Sequence, residues 1–167
     1  MPLIEPGRKA PDFTLPDAAG TPCSLRRFAG WIVVLYFYPE DDTPLCTAQA
    51  CGMRDINPEL DDLGAAVIGI SPDDPARHAA FAQKYGLNFH LLADHRRDRS
   101  GAPKVSARYG AWRSKSMYGR EVTGIVRTTY ILSPDLRIAR RFDHVKTPTH
   151  AQRIRDAVRE LRQALSA

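Results

Sequence analysis

Two cysteines, a threonine and an arginine are the residues here whose types and spacing could do chemistry. The stretch "YFYPEDDTPLCTAQAC", residues 36–51, ends in Cys46 and Cys51. Thr43 is a helix N-cap by type, and Pro44 suits the first helical position, where its missing N–H costs no hydrogen bond. Cys46 then takes the third position, which a capping box gives to Glu or Gln. A thiolate there meets unpaired backbone N–H groups, the positive end of the helix dipole and the Thr43 hydroxyl, and each favours S⁻ over SH. Glu40, Asp41 and Asp42 oppose this unless they point at water, where screening weakens them. A cation would tip the balance. Arg127, in "GIVRTTY" on a late apolar strand, is the candidate, because a charge on such a strand needs an anionic partner or an exit to solvent. The competing reading of Cys46 is a small buried hydrophobe.

Cys51 follows five residues later. On an ideal helix that spacing turns the side chain by about 140° and separates the Cα atoms by roughly 8.6 Å. A disulfide needs Cα atoms within about 7 Å, so the two cysteines cannot bond while the helix is intact. Gly52 weakens the helix by roughly 1 kcal/mol against alanine, which suits a segment that opens. Cys51 is otherwise buried packing.

The elements that must position these groups are legible in outline. "WIVVLYFY" (31–38) and "AAVIGI" (65–70) are continuous apolar runs and read as buried strands. Between them, residues 43–63 are helical and broken at Asn57-Pro58, where Asn57 can cap a second short helix. A strand–helix–strand unit makes the two strands parallel and the crossover right-handed. Residues 74–86 form a helix closed by Gly86, with Ala79, Phe81, Ala82 and Tyr85 inward. A strand at 89–94, a short helix at 103–109 and an exposed stretch "WRSKSMYGREVTG" come next. "IVRTTYIL" and "RIARRF" form a hairpin. An amphipathic helix capped by Thr149, with Ile154, Val158 and Leu161 inside, ends the chain. The class is α/β with a central mixed sheet flanked by helices.

The chain's 167 residues, 43% of them hydrophobic and 26% charged, suit one domain over 1–167. No apolar run is long enough to span a bilayer, and the N-terminus lacks the order of a secretory signal, so a cytoplasmic protein is expected. The net charge of +5 comes from scattered arginines without interleaved aromatics, which argues against nucleic acid. Three cysteines without a C-x-x-C pair, and five histidines without ligand spacing, exclude a disulfide scaffold and a zinc site. Cys23 reads as structural, the histidines (His78 included) as surface or packing residues, and Trp31 and Trp112 as core or loop-anchoring aromatics.

"YPEDDTPLC" fits Pro-x-x-x-Thr-x-x-Cys and, with Cys51, resembles the peroxiredoxin family in its Q-type or bacterioferritin-comigratory-protein subgroup. "GRKAPDFTLPD", "VIGISPDDPARHAAFAQKYGL", "LLAD", "YGAW" and "MYGREVTGIVRTTYIL" extend the likeness over nearly the whole chain. The resemblance implies a thioredoxin-like fold and a thiol peroxidase with no metal or organic cofactor. Cys46 would be the peroxidatic cysteine, attacking peroxide to give a sulfenic acid, and Cys51 the resolving cysteine that forms a disulfide with it. Pro39 would shield the sulfur, Thr43 would bind the peroxide, and Arg127 would stabilise thiolate and transition state. The implied reductant is thioredoxin or glutaredoxin, and the implied state a monomer.

Leu45, Glu40 and Gln49 depart from the subgroup's usual Gly, Lys and Glu, and "HRRDRSGAPK" (95–104) is longer and more basic than usual, reading as a solvated loop. A thiol–disulfide oxidoreductase on the same fold would want C-x-x-C. A redox sensor would react with peroxide without turning over.

Overall fold

A computed structural model describes residues 1–166 of the chain. Nine strands and four α-helices follow in order: β1 (Thr14–Pro16), β2 (Pro22–Ser24), β3 (Ile32–Phe37), α1 (Pro44–Asp62), β4 (Ala65–Ser71), α2 (Pro75–Tyr85), β5 (His90–Ala93), α3 (Lys104–Arg108), β6 (Trp112–Met117), β7 (Arg120–Ile125), β8 (Thr128–Leu132), β9 (Ile138–Phe142) and α4 (Thr147–Ser166). The central sheet has the order β5-β4-β3-β8-β9. β3 runs parallel to β4 and antiparallel to β8, so it sits mid-sheet with every residue buried. This is why its sequence is an unbroken apolar run rather than an alternation.

Alternate residues of β3 feed two cores. Val33, Leu35 and Phe37 pack with Phe13, Leu25, Phe28, Val105, Tyr109 and Tyr130 under the N-terminal segment and α3. Ile32, Val34, Tyr36 and Tyr38 pack with Cys46, Ala50 and Met53 of α1, Phe81 of α2, and Ile154 and Val158 of α4. Among the described residues no helix is long and apolar enough to cross a membrane.

The expected break at Asn57-Pro58 does not occur: α1 runs unbroken from Pro44 to Asp62 with Pro58 inside it. A proline within a helix frees the carbonyl four residues back, here that of Arg54. The Asn88 side chain donates to that carbonyl at 3.2 Å, and Asn57, instead of capping, donates to the Asn88 carbonyl at 2.9 Å. The missing helical bond is thus replaced from the turn after α2. Gly52 also has a packing role, since a Cβ there would lie 3.3 Å from Ala151 Cβ on α4.

Three further expectations are corrected. The stretch 112–124 is a β-hairpin, β6–β7, turning at Tyr118-Gly119 with φ of 52° and 76°. Its polar residues on both faces conceal the strand alternation. In α2 the buried positions are His78 and Phe81, whereas Ala79 is exposed. Thr149 lies inside α4, which begins at Thr147. Of the two tryptophans, Trp31 is exposed, while Trp112 packs against the first core with Arg97 over its ring. Cys23 is buried on β2, as expected of a structural residue.

His150, on the first turns of α4, is buried beside Thr129 Oγ1, 3.1 Å from Nε2, and the Phe142 ring. Burial, with Arg153 and Arg127 adding to it, lowers its imidazole from 6.5 to about 4. The folded state therefore holds it neutral while the unfolded chain protonates it. No penalty arises above pH 6.5; it grows as pH falls below that value and saturates below about 4, at roughly 3 kcal/mol. Urea unfolding at pH 7 and pH 4.5 is expected to show a larger acid loss in the unmodified chain than in His150→Gln. Equal losses would mean that His150 is not held neutral.

Candidate active site

Thr43 precedes α1 with extended backbone (φ −93°, ψ 157°), Pro44 and Leu45 open the helix, and Cys46 takes the third position. The first turn closes with Thr47 N–H donating to Thr43 O at 2.8 Å. Cys46 faces inward against the sheet and is 1% exposed, while its neighbour Leu45 points out. Beneath the helix lies Tyr36, whose ring crosses β4 at Gly69: a Cβ there would come within 2.9 Å of Tyr36 Cζ. Burial first, then the charge of Cys46, pushes the Tyr36 phenol well up, so it stays neutral under the sulfur.

Arg127 comes from the β8 side of β3, on the sheet face that α1 covers. It lies in the link between β7 and β8, one residue ahead of β8, rather than on a strand. Its Nη2 is 3.2 Å from Cys46 Sγ, and its Nη1 donates to Gln49 Oε1 at 2.9 Å. The group that this arginine meets is thus the sulfur of Cys46. Gln49, one turn after Cys46 on α1, holds the planar guanidinium in line by its other edge. Gln49 Nε2 is buried and has no partner among the described residues. The link is pinned on both sides: Thr128 Oγ1 donates to Val126 O at 2.7 Å, and Val145 N–H donates to Arg127 O at 3.2 Å.

Lys115, on β6, is a second cation that the sequence did not single out. Its Nζ donates to Ile125 O at 2.8 Å. Burial first and the Arg127 guanidinium second lower its ammonium, while Cys46 acts in the opposite sense. No signal short of the hairpin pairing places it near the sulfur. Pro39 ends the run from β3 and lines an open groove with Trp112, Lys115 and Ile125.

The Thr43 hydroxyl does not cap the helix. It donates instead to Glu40 O at 3.0 Å, closing the loop ahead of α1. Its single proton is therefore spent, and its oxygen retains accepting capacity.

The three acids that threatened the thiolate are each occupied by α2 or the residue at its end. Glu40 meets Arg77 at 3.4 Å, Asp41 meets His78 at 2.6 Å, and Asp42 meets Lys84 at 2.8 Å and the Tyr85 hydroxyl at 2.7 Å. They do not all face solvent as expected: Asp41 is buried. Asp42 sits at φ 61°, a left-handed conformation open to aspartate. The bonds from Lys84, first, and Tyr85 lower its carboxyl.

Cys51 is half-buried on the same helix, about one and a half turns beyond Cys46. All three cysteines are free. With α1 continuous through both positions, joining them needs the first turns of α1 to open.

Residues 6–141 match the model of the AhpC/TSA family. The chain is 41% identical to "Peroxiredoxin Bcp" of Escherichia coli over 88% of its own length and 90% of that protein. Among solved structures it resembles the bacterioferritin comigratory protein of Xanthomonas campestris, described for alkyl peroxide reduction, with TM-score 0.83, 31% identity, and 95% and 99% of the two chains covered. A PrxQ variant of Xylella fastidiosa superposes with TM-score 0.85 at 26% identity over 94% and 96% of the two chains.

A hydrogen bond from a cation to an ionised group is worth ~1.5–3 kcal/mol, or roughly ten- to a hundredfold in a rate that depends on it. In a Cys51→Ser background, Arg127→Gln is expected to slow alkylation of Cys46 by iodoacetamide at pH 7 by at least about tenfold. Peptide mass spectrometry resolves Cys46 from Cys23. An unchanged rate would show that the guanidinium does not act on the sulfur.

Proposed function

The chain belongs to the AhpC/TSA family and is a peroxiredoxin with a thioredoxin-like fold; from that premise we propose that Cys46 is its peroxidatic cysteine and Cys51 its resolving one. The observation that carries the reading is the 3.2 Å contact of Arg127 Nη2 with Cys46 Sγ at the first turn of α1. A cation and a helix mouth converge on one sulfur.

The thiolate of Cys46 attacks the hydroxyl oxygen of a hydroperoxide ROOH. The O–O bond breaks, the sulfur becomes a sulfenic acid, and RO⁻ leaves to take up a proton as ROH. Thr43 Oγ1, its own proton committed to Glu40 O, accepts the hydrogen bond of the incoming peroxide. Arg127 has donors enough to hold both the sulfur and the oxygen on which charge develops. Pro39 limits water at the sulfur. The substrates are hydrogen peroxide and organic hydroperoxides, the latter in keeping with the alkyl peroxide reduction described for the Xanthomonas campestris relative.

The first turns of α1 then open. Cys51 sulfur attacks the Cys46 sulfenic acid, a disulfide forms, and water leaves. A dithiol protein, thioredoxin or glutaredoxin, reduces the disulfide by exchange. No metal or organic group is needed for any of these steps. We read the chain as a single-domain monomer acting in the cytoplasm.

Fully reduced protein treated with one equivalent of hydrogen peroxide, alkylated and digested with trypsin tests the cycle. Phe28–Arg54 carries both Cys46 and Cys51, and Cys23 falls in another peptide. The long peptide is expected to lose two hydrogens within seconds while Cys23 remains open to the alkylator. Cys51→Ser is expected to stop at the sulfenic acid, and Cys46→Ser to consume no peroxide. Oxidation of Cys23 ahead of Cys46, or free Cys46 and Cys51 after treatment, overturns the assignment.

A further inference from the structure

The ring of His78 lies between two acceptors. Its Nε2 is 3.0 Å from the Leu92 carbonyl oxygen on β5, and its Nδ1 is 2.6 Å from Asp41 Oδ2. A carbonyl oxygen only accepts, so Nε2 carries a hydrogen. A neutral imidazole has no second one, and would set the Nδ1 lone pair against a carboxylate oxygen at 2.6 Å. Two hydrogens are required where a neutral histidine and an ionised aspartate together hold one.

We propose that His78 is an imidazolium in the folded protein, its second ring proton held against Asp41, and that this buried pair is a positioning device for the turn from which Cys46 starts. Asp41 already serves as an acceptor at its other oxygen, which puts the shared proton on Nδ1. The surroundings suit a cation. Asp73 offers a second carboxylate within 4.8 Å, and the Tyr38 hydroxyl, one residue past β3, donates to Asp41 Oδ1 at 2.6 Å, leaving Oδ2 to His78. The charged groups facing the pair are Asp73 after β4 and Arg77 on α2, which bridges Asp73 Oδ1 at 3.3 Å and the Asp41 carbonyl at 3.4 Å. His78 is wholly buried and Asp41 nearly so, which makes the pair costly to leave unmatched.

The consequence for the sulfur is geometric. Asp41 is held at its side chain by Tyr38 and His78 and at its N–H by Asp73 Oδ2 at 2.8 Å. Two residues on is Thr43, and α1 begins immediately after it. Arg127 reaches Cys46 from a separate part of the sheet, so the two meet only if the Asp41 turn is fixed. A misplacement of about 1 Å at a reacting centre can cost on the order of a hundredfold in rate. Asp41 and His78 touch neither sulfur nor peroxide; they act through the backbone.

The inference rests on Cys46 being the reacting sulfur, and its test separates the two. In reduced protein labelled with ¹⁵N-histidine, long-range ¹H–¹⁵N spectra at pH 7 are expected to show both His78 nitrogens in the protonated range. In Asp41→Asn the asparagine amide can donate to Nδ1, so one protonated nitrogen and one bare nitrogen are expected. A bare nitrogen on His78 in the unmodified protein overturns the charged pair. For positioning, Asp41→Ala is expected to slow oxidation of Cys46 by hydrogen peroxide about tenfold or more, and Asp41→Asn to recover it to within about threefold. A folded Asp41→Ala protein with an unchanged rate overturns positioning, as does an Asp41→Asn protein as slow as Asp41→Ala. Should Asp41→Ala not fold, the Asp41→Asn rate against the unmodified protein still decides. If the unmodified Cys46 does not oxidise at all, it is the peroxidase assignment that fails, and the spectra still judge the pair.

Discussion

A sulfur that is 1% exposed and 3.2 Å from a guanidinium is the constraint around which the rest is arranged. An anion at that depth is tolerable only with a cation and hydrogen-bond donors in contact. The first turn of α1 places the sulfur, and the cation comes from a link between strands 81 residues later. The central strand β3 joins these two halves: it leads into the loop before α1 and pairs directly with β8, which follows Arg127. The unbroken burial of β3 on both faces is therefore a condition for the chemistry as well as for the core. A strand free to slip by one residue would reverse its faces and carry the helix mouth away from the arginine.

The same helix that must hold Cys46 must also release it if Cys51 is to reach it. The contacts along α1 divide accordingly. Its later half is tied down by Asn88 at the Arg54 carbonyl, by Asn57 on the Asn88 carbonyl, by Gly52 packed against Ala151, and by Arg159 on Glu59 at 2.6 Å. Its first turn is held by its own backbone bonds, the Arg127 contact and the loop before it. Opening the first turn thus costs a small number of local bonds without disturbing the α1–α4 interface. The proline at position 58 serves the anchored half, because the carbonyl it frees becomes the point of attachment for the turn after α2.

What was legible in the sequence was what local chemistry decides. Thr43-Pro44 marks a helix start whatever surrounds it, and the distance from Cys46 to Cys51 along a helix needs only helix geometry. The strands of the central sheet were legible because burial on both faces leaves an unmistakable apolar run. Less legible were features settled by residues far apart in the chain. Asn57-Pro58 has the form of a helix break, and only Asn88, 31 residues on, keeps the helix going. The hairpin β6–β7 has polar residues on both faces and a Tyr-Gly turn, so neither alternation nor an Asn-Gly signal marks it. His78 occupies a buried place on α2 that alanine or leucine would normally take, because its partner Asp41 lies 37 residues earlier.

The acidic run before the thiol gains its meaning from α2. Taken alone, three carboxylates within six residues of Cys46 raise the cost of a thiolate. Paired one by one with Arg77, His78 and Lys84, they form three near-neutral contacts, whose fields fall off faster with distance than those of bare charges. The nearby cations Arg127 and Lys115 are not offset by these acids, and Gln49, which orients Arg127, adds no charge of its own. A glutamate in place of Gln49 would orient the arginine equally well but would compete with the sulfur for its charge. The neutral amide leaves that charge to Cys46. The acids therefore work as mechanical ties from the loop to a helix, and the electrostatics at the sulfur are set from the link ahead of β8.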